Sequence, residues 1–287
     1  MVQIEKNSPA GLPKISIITI VRNGMPFVEQ TIDSVLGQHY RDIEYIVIDG
    51  CSTDGTVDVI KSRESGIAKW VSEKDGGIAD AFNKGLSFAT GDYLLILNSD
   101  DALANPQVLE KMAGKIVENE SPTLIYGDCD VLDRGTGTIL YRASINFSRD
   151  GLRRGQMLPH PSLFTNRSYF EKYGAFDAQF KIAMDYEWLL RGGIKERVVH
   201  VPILVTNVRT GGISTLNQSQ VVNEIVLALK KNGYISSRWV ELRIRGYFSA
   251  RAFTKVLLKY MGLYRIFAHF RNQRANPTSE RKNGKQD

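Results

Sequence analysis

The stretch Tyr93-Leu94-Leu95-Ile96-Leu97-Asn98-Ser99-Asp100-Asp101 constrains this chain more than any other. Its apolar run, Tyr93 to Leu97, leads straight into two adjacent carboxylates. Such a run reads as a strand buried on both faces of a sheet. Carboxylates at its end lie at the sheet's carboxyl edge, where open α/β folds bind ligands. Two neighbouring like charges repel, and a divalent cation carrying a diphosphate compensates them. The plain structural alternative is an acidic turn that caps the following helix.

The text around this run alternates strand and helix patterns. Ile15 to Val21 is β-rich, Phe27 to Gly37 has helical spacing, and Ile43 to Ile48 is a second strand that ends at Asp49. Thr56 to Lys61 begins a helix, Ala68 to Val71 is a short strand, and Ile78 to Ala89 places Ile78, Phe82, Leu86 and Ala89 on one helical face. Short links between alternating elements predict a parallel sheet covered by helices. From Thr123 to Tyr141 short strands and turns predict an antiparallel extension. Ser168 to Tyr173 and Met184 to Arg191 read as helices, Val198 to Val205 as a strand, and the chain from Gln220 onward as helical.

Length and charge set the outer limits. The 287 residues suffice for one large domain, or one domain with a helical appendage. Two cysteines, Cys51 and Cys129, imply no disulfide framework and fit a reducing compartment. Met1 to Lys14 lacks the apolar core of a signal peptide, and no stretch has the ~18 uncharged apolar residues of a membrane span. The net charge of +6 is uneven: Lys230 to Asp287 holds 14 Lys+Arg against 3 Asp+Glu, which leaves −5 for the residues before it. That basic end describes a surface the chain meets rather than its fold.

Two further stretches carry chemistry. Ile48-Asp49-Gly50-Cys51-Ser52-Thr53-Asp54-Gly55-Thr56 places an acid where a strand ends, able to accept hydrogen bonds from a base or ribose. Caps for the next helix account for Ser52, Thr53 and Asp54, but not readily for Asp49. Neither a P-loop nor a GxGxxG fingerprint is present, and Val21-Arg22-Asn23-Gly24 occupies the first turn. In Ser72 to Gly85, Asp75-Gly76-Gly77 opens an amphipathic helix whose first N–H groups can face an anion. Asp80, Asn83 and Lys84 share its polar face, and a solvated face is the alternative.

Together and in this order, these pieces resemble an inverting nucleotide-sugar glycosyltransferase of family 2. The resemblance rests on the first strand with Asn23, the Asp49–Thr56 loop, Asp75-Gly76-Gly77, Asn83-Lys84-Gly85 and Gly91-Asp92 before the acidic turn. It runs from about Lys14 to about Thr215. It implies the GT-A fold: an α/β, Rossmann-like nucleotide-binding unit whose mixed, mostly parallel sheet is flanked by helices. A C-terminal helical extension follows. The expected division is a catalytic domain over 1–218, basic amphipathic helices over 219–271 and a disordered tail over 272–287.

The resemblance also assigns expected roles. Thr19, Asn23, Asp49, Asp75, Asn83, Lys84, Asn98 and Ser99 would contact the donor nucleotide. The acidic turn would be a DxD motif for Mg²⁺ or Mn²⁺, with Asp100 the first ligand and Asp101 a further candidate. Asn98 stands where the motif has its first Asp; it keeps an oxygen acceptor, loses the charge, and is expected against ribose or the donor sugar. Asp185, in Met184-Asp185-Tyr186-Glu187-Trp188, would be the catalytic base. Glu187 is its alternate, but positions i and i+2 of a helix point about 200° apart, so one of them alone can face the site. His160, Asp177 and Arg209 would meet the acceptor or the diphosphate, with a turn stabiliser the alternative for Asp177.

The basic, aromatic, apolar stretch Arg251–Arg271 has the profile of an interfacial helix on anionic lipid, with a helix packed on the domain as the alternative. The resemblance implies a polyprenyl-diphosphate-linked glycan acceptor and a protein held peripherally at the cytoplasmic face of the plasma membrane. No nucleic-acid recognition motif is present. A nucleotidyltransferase is a rival reading, although the first turn lacks that class's Gly-rich, basic loop. A non-catalytic sugar-nucleotide binder is another, prompted by Asn98.

Overall fold

A computed structural model describes residues 11–260. The expected tail 272–287 and residues 261–271 of the basic stretch lie outside the described residues.

In chain order the elements are β1 (Ile15–Val21), α1 (Val28–Leu36), β2 (Ile43–Asp49), α2 (Thr56–Ser62), β3 (Lys69–Ser72), α3 (Ile78–Phe88) and β4 (Tyr93–Ile96). Then come β5 (Ala102–Leu103), α4 (Val108–Glu118), β6 (Leu124–Leu132), β7 (Ile139–Ala143), α5 (Arg149–Arg153), β8 (Leu163–Asn166) and α6 (Arg167–Tyr173). The chain continues through α7 (Met184–Gly192), β9 (Val198–Arg209), α8 (Ile213–Leu216), α9 (Gln218–Lys231) and α10 (Arg238–Tyr260).

All described strands form one mixed sheet in the order β3-β2-β1-β4-β8-β6-β9-β5, with β7 paired to β6. The β3-β2-β1-β4 half is parallel. The chain leaves β1 toward β2 and β3, then returns to β4 on the other side. That reversal is the topological switch point where such sheets bind ligands. Beyond β4 the sheet turns antiparallel through β8 and β6, as the change of text after Thr123 suggested. β9 then adds parallel to β6 and pairs with β5 in the antiparallel sense.

Burial explains why these segments fold this way. Ile15, Ile17, Ile18, Ile46, Val47, Ile48 and Leu95 are fully buried, as strands covered on both faces require. One core joins the sheet to α1 and α4, and a second gathers α5, α6, α7 and α9. Gly85 lets α3 lie close to β1, since a Cβ there would collide with the Ile18 side chain. Helix α9, within the extension expected from residue 219, packs on the unit before it. Ile225, Ala228 and Leu229 of α9 are buried in the same core as Tyr186, Leu189 and Leu190 of α7.

Candidate active site

The carboxyl edge of the parallel half gathers four loops. Asn23, after β1, adopts a left-handed backbone (φ 54°), which Asn tolerates better than most residues. Its Oδ1 accepts from Thr53 N (2.9 Å), and its own N–H donates to Ser52 Oγ (2.7 Å), so the first and second loops are sewn together. Asp49, at the end of β2, is fully buried and accepts from Ser52 N, the Ser52 hydroxyl and Ser72 Oγ. Asp75 reaches across from the β3 loop. Its Oδ1 caps Gly77 N at 3.0 Å, and its other oxygen lies over Gly50, where any Cβ would displace it. The loops carrying Asn23, Asp49, Asp75 and the acidic turn after β4 therefore form one edge.

Thr19, Asn83 and Lys84, expected at the donor, have partners within the fold. Thr19 is fully buried inside β1 and accepts from the Tyr45 hydroxyl (3.2 Å), because its position in the strand alternation points into the core. Asn83 spends both ends of its amide on the backbone of Phe176. Lys84 pairs with Glu73 at 2.5 Å, and that bond holds its ammonium above its usual pKa.

The acidic turn divides its two carboxylates. Asp101 is buried; it accepts from Asn98 Nδ2 (2.9 Å) and Arg209 N (3.3 Å), and its backbone carbonyl accepts from Thr31 Oγ1 (2.7 Å). Burial and the neighbouring Asp100 charge push its pKa up to about 7. Asp101 thus organises the turn. Asn98 serves the same turn through its Nδ2, while its Oδ1 and the half-buried Ser99 remain at the edge. Asp100 keeps a solvent-facing carboxylate, whose side chain is 25% exposed.

No group of three acidic, His or Cys side chains able to hold a metal exists among the described residues. One hard oxygen ligand still fits Mg²⁺ or Mn²⁺, because Mg²⁺ usually binds through one or two carboxylates, substrate phosphates and water. Asp100 would hold it, and the ion would supply charge for the departing diphosphate.

Arg209, at the end of β9, stands beside this turn. Its guanidinium lies 4.4 Å from the Phe27 ring centre and donates to Gln30 Oε1 (2.6 Å). Arg134, which the sequence did not single out, lies 4.7 Å from the same ring and bridges to Asp100 at 2.5 Å.

Asp185 occupies the first turn of α7, half-buried, with Oδ1 accepting from Tyr186 N (2.8 Å). Burial raises its pKa, against the opposing influence of His160. Burial in turn lowers the His160 pKa, against the opposing influence of Asp185. His160 Nε2 and Trp188 Nε1 are buried without a hydrogen-bond partner among the described residues, and both residues line a small cavity with Leu94, Ile96 and Thr165. A carboxylate poised above its ordinary pKa at a helix start has the profile of a general base.

A carboxylate distant in sequence fixes that helix start. Glu224 of α9, 7% exposed, accepts from Lys181 N, Ile182 N and Ala183 N at 2.8 to 3.1 Å. Burial alone would raise its pKa, but these bonds outweigh burial and lower it. An anion at a helix N-terminus is favoured by the helix dipole. In the sequence Glu224 looks like any acid on an amphipathic helix; its distance from Ala183 in the chain hides its partner.

Glu187 and Asp177 have partners within the fold. Glu187 is fully buried, with Oε2 at 3.2 Å from Arg191 Nε and Oε1 at 3.4 Å from Asn232 Nδ2. Asp177 stabilises its own turn, accepting from Gln179 N (2.9 Å) and from Lys231 of α9.

The family model described as glycosyl transferase family 2 matches residues 16–174. A glycosyltransferase of Mycobacterium tuberculosis is 36% identical over 216 residues, covering 73% of this chain and 80% of its own. A PGL/p-HBAD biosynthesis glycosyltransferase of the same species is 30% identical over 209 residues, covering 70% and 79%. Among solved structures, Staphylococcus aureus TarS 1–349 in complex with UDP-GlcNAc superposes with a TM-score of 0.60 at 16% identity, over 84% of this chain and 73% of that one. The mannosyltransferase PcManGT of Pyrobaculum calidifontis, in complex with GDP-Man and Mn²⁺, gives 0.58 at 19% identity, over 93% and 77%. The sheet order, the acidic turn at its edge and these matches converge: the chain belongs to glycosyltransferase family 2 and has the GT-A fold.

Proposed function

We propose that this protein transfers a sugar from a nucleoside diphosphate sugar, a UDP-sugar first, to a hydroxyl of a polyprenyl-diphosphate-linked glycan at the inner face of the plasma membrane, in surface polysaccharide synthesis. The observation that carries the reading is Asp185, a carboxylate with a raised pKa at a helix start, in the same fold as the nucleotide-binding sheet edge. Asp185 takes the proton of the acceptor hydroxyl as that oxygen attacks the anomeric carbon. His160 meets the acceptor. A single displacement inverts the anomeric configuration, so an α-linked donor gives a β-linkage. Asn23, Asp49, Asp75, Asn98 and Ser99 form the donor side, with Arg209 toward the diphosphate.

Complexes of TarS with UDP-GlcNAc and of the mannosyltransferase with GDP-Man and Mn²⁺ support a nucleotide-sugar donor and a divalent cation. Among the described residues no helix is long and apolar enough to cross a membrane, and contact through the basic C-terminal helices is compatible with that.

The test begins with thermal shifts for UDP, GDP and TDP, each with and without Mn²⁺, followed by transfer assays with the matching sugar nucleotides. Asp185→Asn should keep nucleotide binding and lose at least ~10² in transfer rate. Transfer near the wild-type rate in that variant would remove Asp185 as base. Nucleotide binding without transfer in the wild type would favour the non-catalytic binder suggested by Asn98.

A further inference from the structure

Arg134 sits in the turn between β6 and β7, far in sequence from the acidic turn, yet its Nη1 lies 2.5 Å from Asp100 Oδ2. Its backbone N–H donates to Thr210 Oγ1 (3.2 Å), and Thr210 N donates to the Leu132 carbonyl (2.9 Å). The segment after β9 and the turn after β6 therefore share one anchor. The guanidinium groups of Arg134 and Arg209 both lie against Phe27, at 4.7 and 4.4 Å. With Asn98 neutral and Asp101 engaged by two N–H donors, Asp100 carries the turn's outward-facing charge. Arg134 already compensates that charge.

We propose that Arg134 is a placeholder cation. In the free protein it covers the oxygen of Asp100 that a divalent cation needs, and it moves to the donor's diphosphate when cation and nucleotide enter together. The inference rests on the reading of Asp100 as the metal ligand. The pair suits an exchange: its side chains are 43% and 25% exposed, and ion pairs at such positions are weak and reversible. The planar guanidinium matches phosphate oxygens as well as a carboxylate. Phe27 gives the group a surface to rest on after Asp100 is released. The consequence is positive coupling: cation alone binds poorly, and cation with nucleoside diphosphate binds well.

The test is Mn²⁺ binding to the full chain, followed by the electron paramagnetic resonance of free Mn²⁺, with no nucleotide, with UDP and with GDP. Arg134→Gln should tighten Mn²⁺ binding in the absence of nucleotide by about threefold or more. It should also reduce the gain that the nucleotide brings. Arg134→Lys, which keeps the charge, should leave binding of Mn²⁺ alone weak. Unchanged or weaker Mn²⁺ binding by folded Arg134→Gln, while the wild type binds Mn²⁺ with nucleotide, would overturn the placeholder and spare the metal site. Mn²⁺ binding that survives Asp100→Asn, or that fails in every protein with every nucleotide, would overturn the metal reading itself and the placeholder with it.

Discussion

The side-chain amide of Asn83 grips the backbone of Phe176 from both sides: Nδ2 donates to the Phe176 carbonyl (2.8 Å), and Oδ1 accepts from the Phe176 N–H (2.9 Å). Helix α3, which borders the donor edge, is thereby fastened to the turn that leads into α7.

Asn83→Ala leaves a backbone donor and acceptor without their partner, a loss of about 1–3 kcal/mol. For a domain of this size that is roughly 2–4 °C per kcal/mol in melting temperature. Amide exchange at Phe176 should quicken, while exchange in β1 and β2 stays slow. If the Phe176 amide kept its protection in the variant, the clasp would have no energetic weight.

Asp185 predicts a stability gain from an inactivating change. Burial raises its pKa in the folded protein, so the folded chain binds this proton more tightly than the unfolded chain. Stability from this group is complete below the ordinary carboxylate pKa and is lost as pH rises through the raised value. Asp185→Asn removes that loss. It should melt above wild type near pH 8 and converge with it in acid, in melts recorded from pH 4 to 8. A lower melt at pH 8 would mean that the ionised form is stabilised by bonds to it. Transfer by the wild type should fall with acidification through the same raised pKa.

Glu187, two residues on, should behave in the opposite way. Its carboxylate is buried against Arg191, whose Nη1 and Nη2 hold the Tyr173 and Ala175 carbonyls. Glu187→Ala leaves that guanidinium without its buried counter-charge, at a cost of about 3 kcal/mol. Transfer per folded molecule should survive, because Glu187 does not face the site. Chemical denaturation and an active-site titration together separate the two effects. Loss of turnover at unchanged stability would restore Glu187 as a candidate base.

Trp239 and Leu242, a helical turn apart on α10, are 77% and 53% exposed. A double change to Ala should weaken binding to anionic vesicles by about tenfold or more if this face enters the lipid interface. Sedimentation with vesicles of phosphatidylglycerol and phosphatidylcholine measures it. Unchanged binding would exclude this face of α10 from the contact.

The sequence displays what is local. The Tyr93–Leu97 run, the alternation from Ile15 to Ala89 and the Gly-rich turns each state their structure within a short window, and β1 begins and ends where its pattern does. Strand β8 and helix α4 lack such a signal: Leu163-Phe164-Thr165-Asn166 is too short to show a period, and Val108–Glu118 starts after Gln107 with no side-chain cap to mark it. Roles were less legible than positions. Thr19 and Asn83 sit in expected segments but face partners, Tyr45 and Phe176, that only the assembled sheet brings near. Arg134 and Glu224 gave no local signal, since each acts on residues dozens of positions away.

The cap that Glu224 places on α7 also has a consequence in time. Chains emerge from the ribosome N-terminus first, and domains tend to form in that order. The four loops of the β3-β2-β1-β4 edge have all emerged once Asp101 has, although Arg209 N reaches the acidic turn only after β9 follows. The N–H groups before Asp185 find their acceptor only after α9 follows. The start of α7 is thus seated last, and a chain broken off before Glu224 would carry the sheet edge with the N–H groups before Asp185 lacking their acceptor.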